Sequence, residues 1–163
     1  MDDLWLGIRL LLLLGVANSA PIATKRLLGP RWSWPLDGGL RLPDGRPLLG
    51  SSKTVRGVVA AVAACTLCAP VLGFPIAAGA LTGAVAMAGD ALSSFVKRRL
   101  AIEPSGKAFG IDQIPESLLP LLALQSMLNL PLLLIAAITA AFVLLEIPVA
   151  RLSYRLGLRD RPY

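Results

Sequence analysis

Apolar residues gather into five blocks along the chain, at about residues 4–23, 56–73, 75–96, 114–129 and 131–150. Each approaches the roughly 20 mostly apolar residues that a membrane-crossing helix needs. The first block is rich in leucine. The second and third are separated only by Gly73-Phe74-Pro75, a tight turn. The fourth is short, and Pro131 in the Asn129-Leu130-Pro131 junction could kink one long helix instead of separating two. The pattern predicts five spans, with four as the alternative. The first block follows two acids, Asp2 and Asp3, rather than a positive leader, and no A-x-A cleavage site follows it clearly, so it reads as a helix that stays.

Polar positions discriminate between these layouts. With five spans, every basic residue of the sixteen except Arg9 falls in or at the edge of residues 24–55, 97–113 or 151–163, all on one side. The positive-inside rule puts that side, with the C-terminus, in the cytoplasm. Four spans would send the basic tail across the membrane. Composition agrees: 55% of the 163 residues are hydrophobic and the mean hydropathy is +0.69, which a soluble domain of this size rarely reaches. The expectation is an all-α integral membrane protein of the cell membrane, one domain over residues 1–163, with its catalytic loops in the cytoplasm.

Against this apolar background the segment 89–116 stands out. Asp90 lies inside the third block, and a charge there costs roughly 2.5–3.5 kcal/mol on insertion scales, so it is a functional candidate. On a helix, Ser94, Lys97 and Arg98 share its face, with Arg99 beside them. Asp112 and Glu116 follow a glycine-containing loop. A carboxylate near the membrane surface with cations above it suits a divalent metal and phosphates. Magnesium matches, because it takes one or two carboxylates and leaves its other positions to water and phosphate oxygens. The competing structural reading of Asp90 is an ion pair with another span, but only Arg9 lies deep in one. For Lys97-Arg98-Arg99 alone, membrane anchoring is the ordinary role.

The loop at residues 35–57 is the second candidate. Asp37-Gly38-Gly39 and Asp44-Gly45 signal turns. Gly50-Ser51-Ser52-Lys53-Thr54 with Arg56 presents amides, hydroxyls and cations at the start of a span, where an anion would bind. It is not a Walker A motif, since Lys53 comes three positions after Gly50 and no βαβ unit precedes it. Attraction of a basic loop to anionic lipid is the plainer alternative. Trp32 and Trp34 read as interfacial anchors rather than base-stacking platforms, so nucleic acid is not an expected partner. Gly79-x-x-x-Gly83 reads as a close-packing motif, within one chain or between two in a homodimer. The chain has no histidine, and its two cysteines, Cys65 and Cys68, form a lone C-x-x-C in an apolar run. They read as small apolar side chains rather than a redox or zinc site.

Three ordered blocks resemble the CDP-archaeol synthases, relatives of the CTP:phosphatidate cytidylyltransferases. They are Ala17-Asn18-x-x-Pro21 with PLDGG, DGRPLLG and Lys53-Thr54-x-Arg56-Gly57; then Gly89-Asp90-x-x-x-Ser94-Phe95-x-Lys97-Arg98-Arg99 with Asp112-Gln113; then the tail from Tyr154 to Tyr163. The resemblance implies transfer of CMP from CTP to a lipid phosphate with release of pyrophosphate. It implies a catalytic set of Asp90, Lys97, Arg98 and Asp112. Asn18, Lys53, Thr54, Arg56, Ser94, Arg99 and Gln113 would bind substrate. One or two magnesium ions would sit on Asp90 and Asp112. The family pattern has another acid three positions after the aspartate of Asp-Gln; here Pro115 stands there and Glu116, one later, is the substitute ligand. The closing tryptophan of the pattern is Tyr163. Rival expectations are the same chemistry on phosphatidic acid, a small transporter, and a non-catalytic membrane anchor.

Overall fold

The computed structural model describes residues 2–102, 110–155 and 157. They form five helices: α1 (Asp2–Leu28), α2 (Val55–Val71), α3 (Ile76–Arg99), α4 (Gln113–Leu128) and α5 (Leu132–Arg155). The described residues contain no β-sheet, only two isolated antiparallel pairings, Pro35 with Thr54 and Arg41 with Pro47. α1, α3 and α5 are long and apolar enough to cross a membrane. α2, with 17 residues, sits at the lower edge of spanning length, and α4, with 16, falls just short of it.

The fourth and fifth blocks are separate helices. Asn129 takes left-handed angles (φ 52°, ψ 45°) and closes α4, and the amide of Leu130 reaches back to the Gln125 carbonyl at 3.0 Å. Pro131 has no N–H to continue the ladder, so α5 starts anew after it. α2 passes into α3 through Leu72–Pro75, where the Phe74 amide donates to the Ala69 carbonyl at 2.8 Å.

α3 is the central helix, packed most extensively on α2 and α4. Its small residues are the cause. A Cβ on Gly79 would lie 2.6 Å from the Ala69 Cβ, and one on Gly83 would lie 2.7 Å from the Val62 Cα. The Gly79–Gly83 motif is therefore spent inside the chain, on the α2–α3 seam. A Cβ on Gly89 would lie 2.6 Å from the Pro115 carbonyl carbon. Close backbone approach matters here because lipid removes most of the hydrophobic drive between helices and leaves packing to hold them. Cys65 is buried in the same seam, and both cysteines are free thiols.

The α1–α2 connection folds back on itself. The Leu36 amide donates to the Lys53 carbonyl (2.8 Å) and the Val55 amide to the Trp34 carbonyl (3.0 Å). The Asp37 carboxylate ties the two arms together, accepting from the amides of Gly39 (2.9 Å), Leu49 (2.8 Å) and Gly50 (3.2 Å). Gly38, Gly39 and Gly45 all have positive φ, as their turn positions require. Arg99, at the end of α3, straps this hairpin to the bundle: it donates to the Asp44 carboxylate at 2.6 Å and to the Pro47 carbonyl at 2.9 Å.

Candidate active site

The contact that fixes Gly89 against Pro115 and Glu116 also aligns two acids. Asp90 follows Gly89 on α3, and Glu116 follows Pro115 on α4, so their carboxyl groups face one another across the crossing. Glu116 is buried, with 8% of its surface exposed. Its Oε2 accepts a hydrogen bond from the Asn18 amide of α1 at 3.0 Å. Lys53, from the arm of the hairpin that leads into α2, forms an ion pair with Asp90. Three helices and a loop thus converge on one acid pair. The connecting loop supplies this cation for Asp90.

Nearer the helix ends lies a second pair. The Lys97 ammonium is 2.8 Å from both carboxylate oxygens of Asp112. The Ser93 hydroxyl donates to the Asp112 carbonyl at 3.5 Å. Ser94, Lys97 and Arg98 are all buried on α3 (3%, 6% and 4% exposed), and the face expected from helical spacing is present. Gln113 accepts from the Gly110 amide at 2.7 Å and orders the entry to α4.

The three acids expected as metal ligands are not one set. Antiparallel packing of α3 on α4 sets Glu116 opposite Asp90, whereas Asp112, just before the start of α4, falls opposite Ser93 and Lys97. Among the described residues no three acidic, cysteine or histidine side chains stand close enough to ligate one ion alone. The Asp90–Glu116 pair still suits a hard cation. It offers carboxylate oxygens with the Asn18 amide beside them, and two facing carboxylates need neutralising charge. A magnesium ion held by two carboxylates completes its shell with water and phosphate oxygens.

Three expected substrate contacts have other work in this structure, one of them Arg99, which straps the hairpin. Arg56 donates to the carbonyls of Gly29 (2.8 Å) and Arg31, anchoring the hairpin at the end of α1. The Thr54 hydroxyl caps α2 by accepting from the Gly57 amide at 3.3 Å. Lys107 and the tail residues Arg159, Arg161 and Tyr163 lie outside the described residues. One acid escaped the sequence pattern: Glu146 of α5. Its signal was a lone acid in the most apolar block, aligned with the buried positions Phe142 and Ala150.

The chain is similar to known proteins over most of its length. The family model described as CarS-like, CDP-archaeol synthase, matches residues 70–163, more than half of the chain. A CDP-archaeol synthase of Pyrobaculum calidifontis is 36% identical over 155 residues, covering 91% of each chain. One from Aeropyrum pernix is 37% identical, covering all of this chain and 94% of its own. A solved structure of an intramembrane enzyme for archaeal membrane lipid biosynthesis matches with a TM-score of 0.72 and 33% identity, over 87% of this chain and 90% of that one. The apolar helices and this neighbour make the chain a membrane protein.

Proposed function

Since the chain belongs to the CDP-archaeol synthase family, we propose that it transfers CMP from CTP to a membrane lipid phosphate, forming a CDP-activated lipid and pyrophosphate. One observation carries the reading: Asp90 and Glu116 meet Lys53 at one end of an apolar bundle. Acids for a cation and a cation for phosphate stand together where a lipid headgroup can reach them.

A lipid phosphate oxygen attacks the α-phosphorus of CTP, and the bond from that phosphorus to the bridging oxygen of the β-phosphate breaks. The attacking oxygen is already an anion, so the site needs no side-chain base, in keeping with a chain that has no histidine. Catalysis is then positioning and charge neutralisation. Asp90 and Glu116, with Asn18 beside them, are the residues that would hold magnesium, and Asp112 would serve a second ion. When bound, magnesium supplies positive charge to the phosphates. Lys53 and Lys97 now face carboxylates; the triphosphate would draw them to itself. Arg98 lies at the same end of α3 to neutralise the leaving pyrophosphate, and Ser94 to hydrogen-bond substrate.

The site faces the cytoplasm, where nearly all the basic residues collect. The lipid chains enter laterally between helices. Polar groups crowd one end of the bundle, whereas a transporter would place them near the bilayer midplane on several helices. The relatives favour an archaeal prenyl-ether phosphate over phosphatidic acid. The test is purified protein with labelled CTP and magnesium, offered both lipids in parallel. A CDP-lipid from the prenyl-ether phosphate is expected. Product from phosphatidic acid alone would reassign the substrate, and product from neither would unseat the function.

A further inference from the structure

We infer that Glu146 is a positioning residue of the cation site: from the inward face of α5 it strengthens divalent-cation binding by Asp90 and Glu116 without ligating the ion. The inference rests on the reading of that pair as the cation site.

Glu146 occupies a costly place. α5 is the most apolar of the spanning helices, with a mean hydropathy of 2.5, and an acid in such a segment is a functional candidate. Its direction is set by the helix. Ile135, Ile138, Phe142 and Ala150 are the buried residues of α5. Glu146 stands four residues after Phe142 and four before Ala150, on that same inward stripe. One of its carboxylate oxygens is buried.

Its level is set by the hairpin of helices. Glu116 precedes Asn129 by 13 residues and Glu146 follows Pro131 by 15. At about 1.5 Å per residue the two acids stand within roughly 3 Å of the same height along packed helices. Among the described residues no three acids form a set that could hold one ion, so Glu146 is not a third ligand beside Asp90 and Glu116. What remains is action through the field. A third carboxylate behind the pair deepens the negative potential, and the low dielectric of the bundle preserves its reach.

The experiment is titration of the purified full-length protein with Mn2+, followed by electron paramagnetic resonance, without CTP or lipid. Glu146→Gln keeps the shape and removes the charge. It should weaken Mn2+ binding on the order of tenfold, the usual scale for groups just outside the ligand shell. Glu146→Asp should restore most of the affinity, and the KM for CTP at saturating magnesium should not move. Glu146→Ala serves if the Gln variant is not recovered. Wild-type Mn2+ affinity in either charge-removing variant overturns the inference and leaves the cation site standing. A wild-type protein that takes up no Mn2+ at millimolar concentration overturns the Asp90–Glu116 site itself.

Discussion

The two ends of this bundle handle charge in opposite ways. At the turn end, α2 reverses into α3 within four residues, and one cation serves. Arg9 donates to the Leu72 carbonyl at 3.2 Å and stacks over the Phe74 ring, 5.3 Å from its centre. It meets its partners through local packing and holds a turn. At the loop end, charges arrive from distant parts of the chain. Asn18 meets Glu116 across 98 positions, and Lys53 meets Asp90 across 37. Cations and acids there are paired with each other in reach of solvent, so an incoming phosphate or metal can exchange with them. A charge wedged against a turn stabilises; polar groups gathered from four segments around a shared centre can do chemistry.

Asp90→Asn is the sharpest way to break this contrast. Transfer should fall by at least roughly 10²–10³-fold, the scale for losing one preorganised electrostatic group. The protein should still enter the membrane. Near wild-type turnover in the purified variant would end the assignment of Asp90. Gly89→Ala tests whether the acid pair depends on the helix crossing. The added methyl would overlap Pro115, at about 1–3 kcal/mol of stability. It should also separate Asp90 from Glu116, so the thermal midpoint and the metal requirement should worsen together. A lower midpoint with an unchanged metal requirement would detach the pair from the seam.

Arg9→Met probes the other end. It should cost about 1–2 kcal/mol from the lost hydrogen bond and ring contact. Turnover below the melting range should be unchanged. Loss of activity without loss of stability would mean that the two ends are coupled.

The smallest effect concerns the hairpin. Partial burial pushes the Asp37 carboxyl up, but the amides of Leu49, Gly39 and Gly50 together hold it below its ordinary value of 3.8. A depressed value means that the stabilisation is present above 3.8 and fades as the pH falls through the folded-state value. Pepsin cleavage within residues 35–54 should therefore accelerate only in that acid range, and Asp37→Asn should be cut readily at milder pH. Equal cleavage of the two proteins at pH 5 would show that the carboxylate does not organise the loop.

Much of this was legible along the chain, for identifiable reasons. Apolar length announces a spanning helix, and the crowding of cations between blocks disfavoured a four-span layout. Asp90 was conspicuous because a charge in such a segment needs a reason. Gly79 and Gly83 announced close packing, but not whether it joins helices or subunits. The fate of Arg56 was hidden, because a loop cation can turn to phosphates or to carbonyls at the end of a helix. Glu146 was hidden because a lone acid says nothing of what it faces until the helix is rotated against its neighbours.

Hydropathy and charge order by themselves determined the helices and the end at which charge collects, because these depend on how each segment partitions between lipid and water. Only the tertiary structure decided which acids face each other. That depends on where Gly89 lets α3 touch α4, a matter of helix rotation and height with no signature in any single segment. Hence Glu116 joins Asp90, Asp112 pairs with Lys97, and Lys53 reaches in from a loop to meet them.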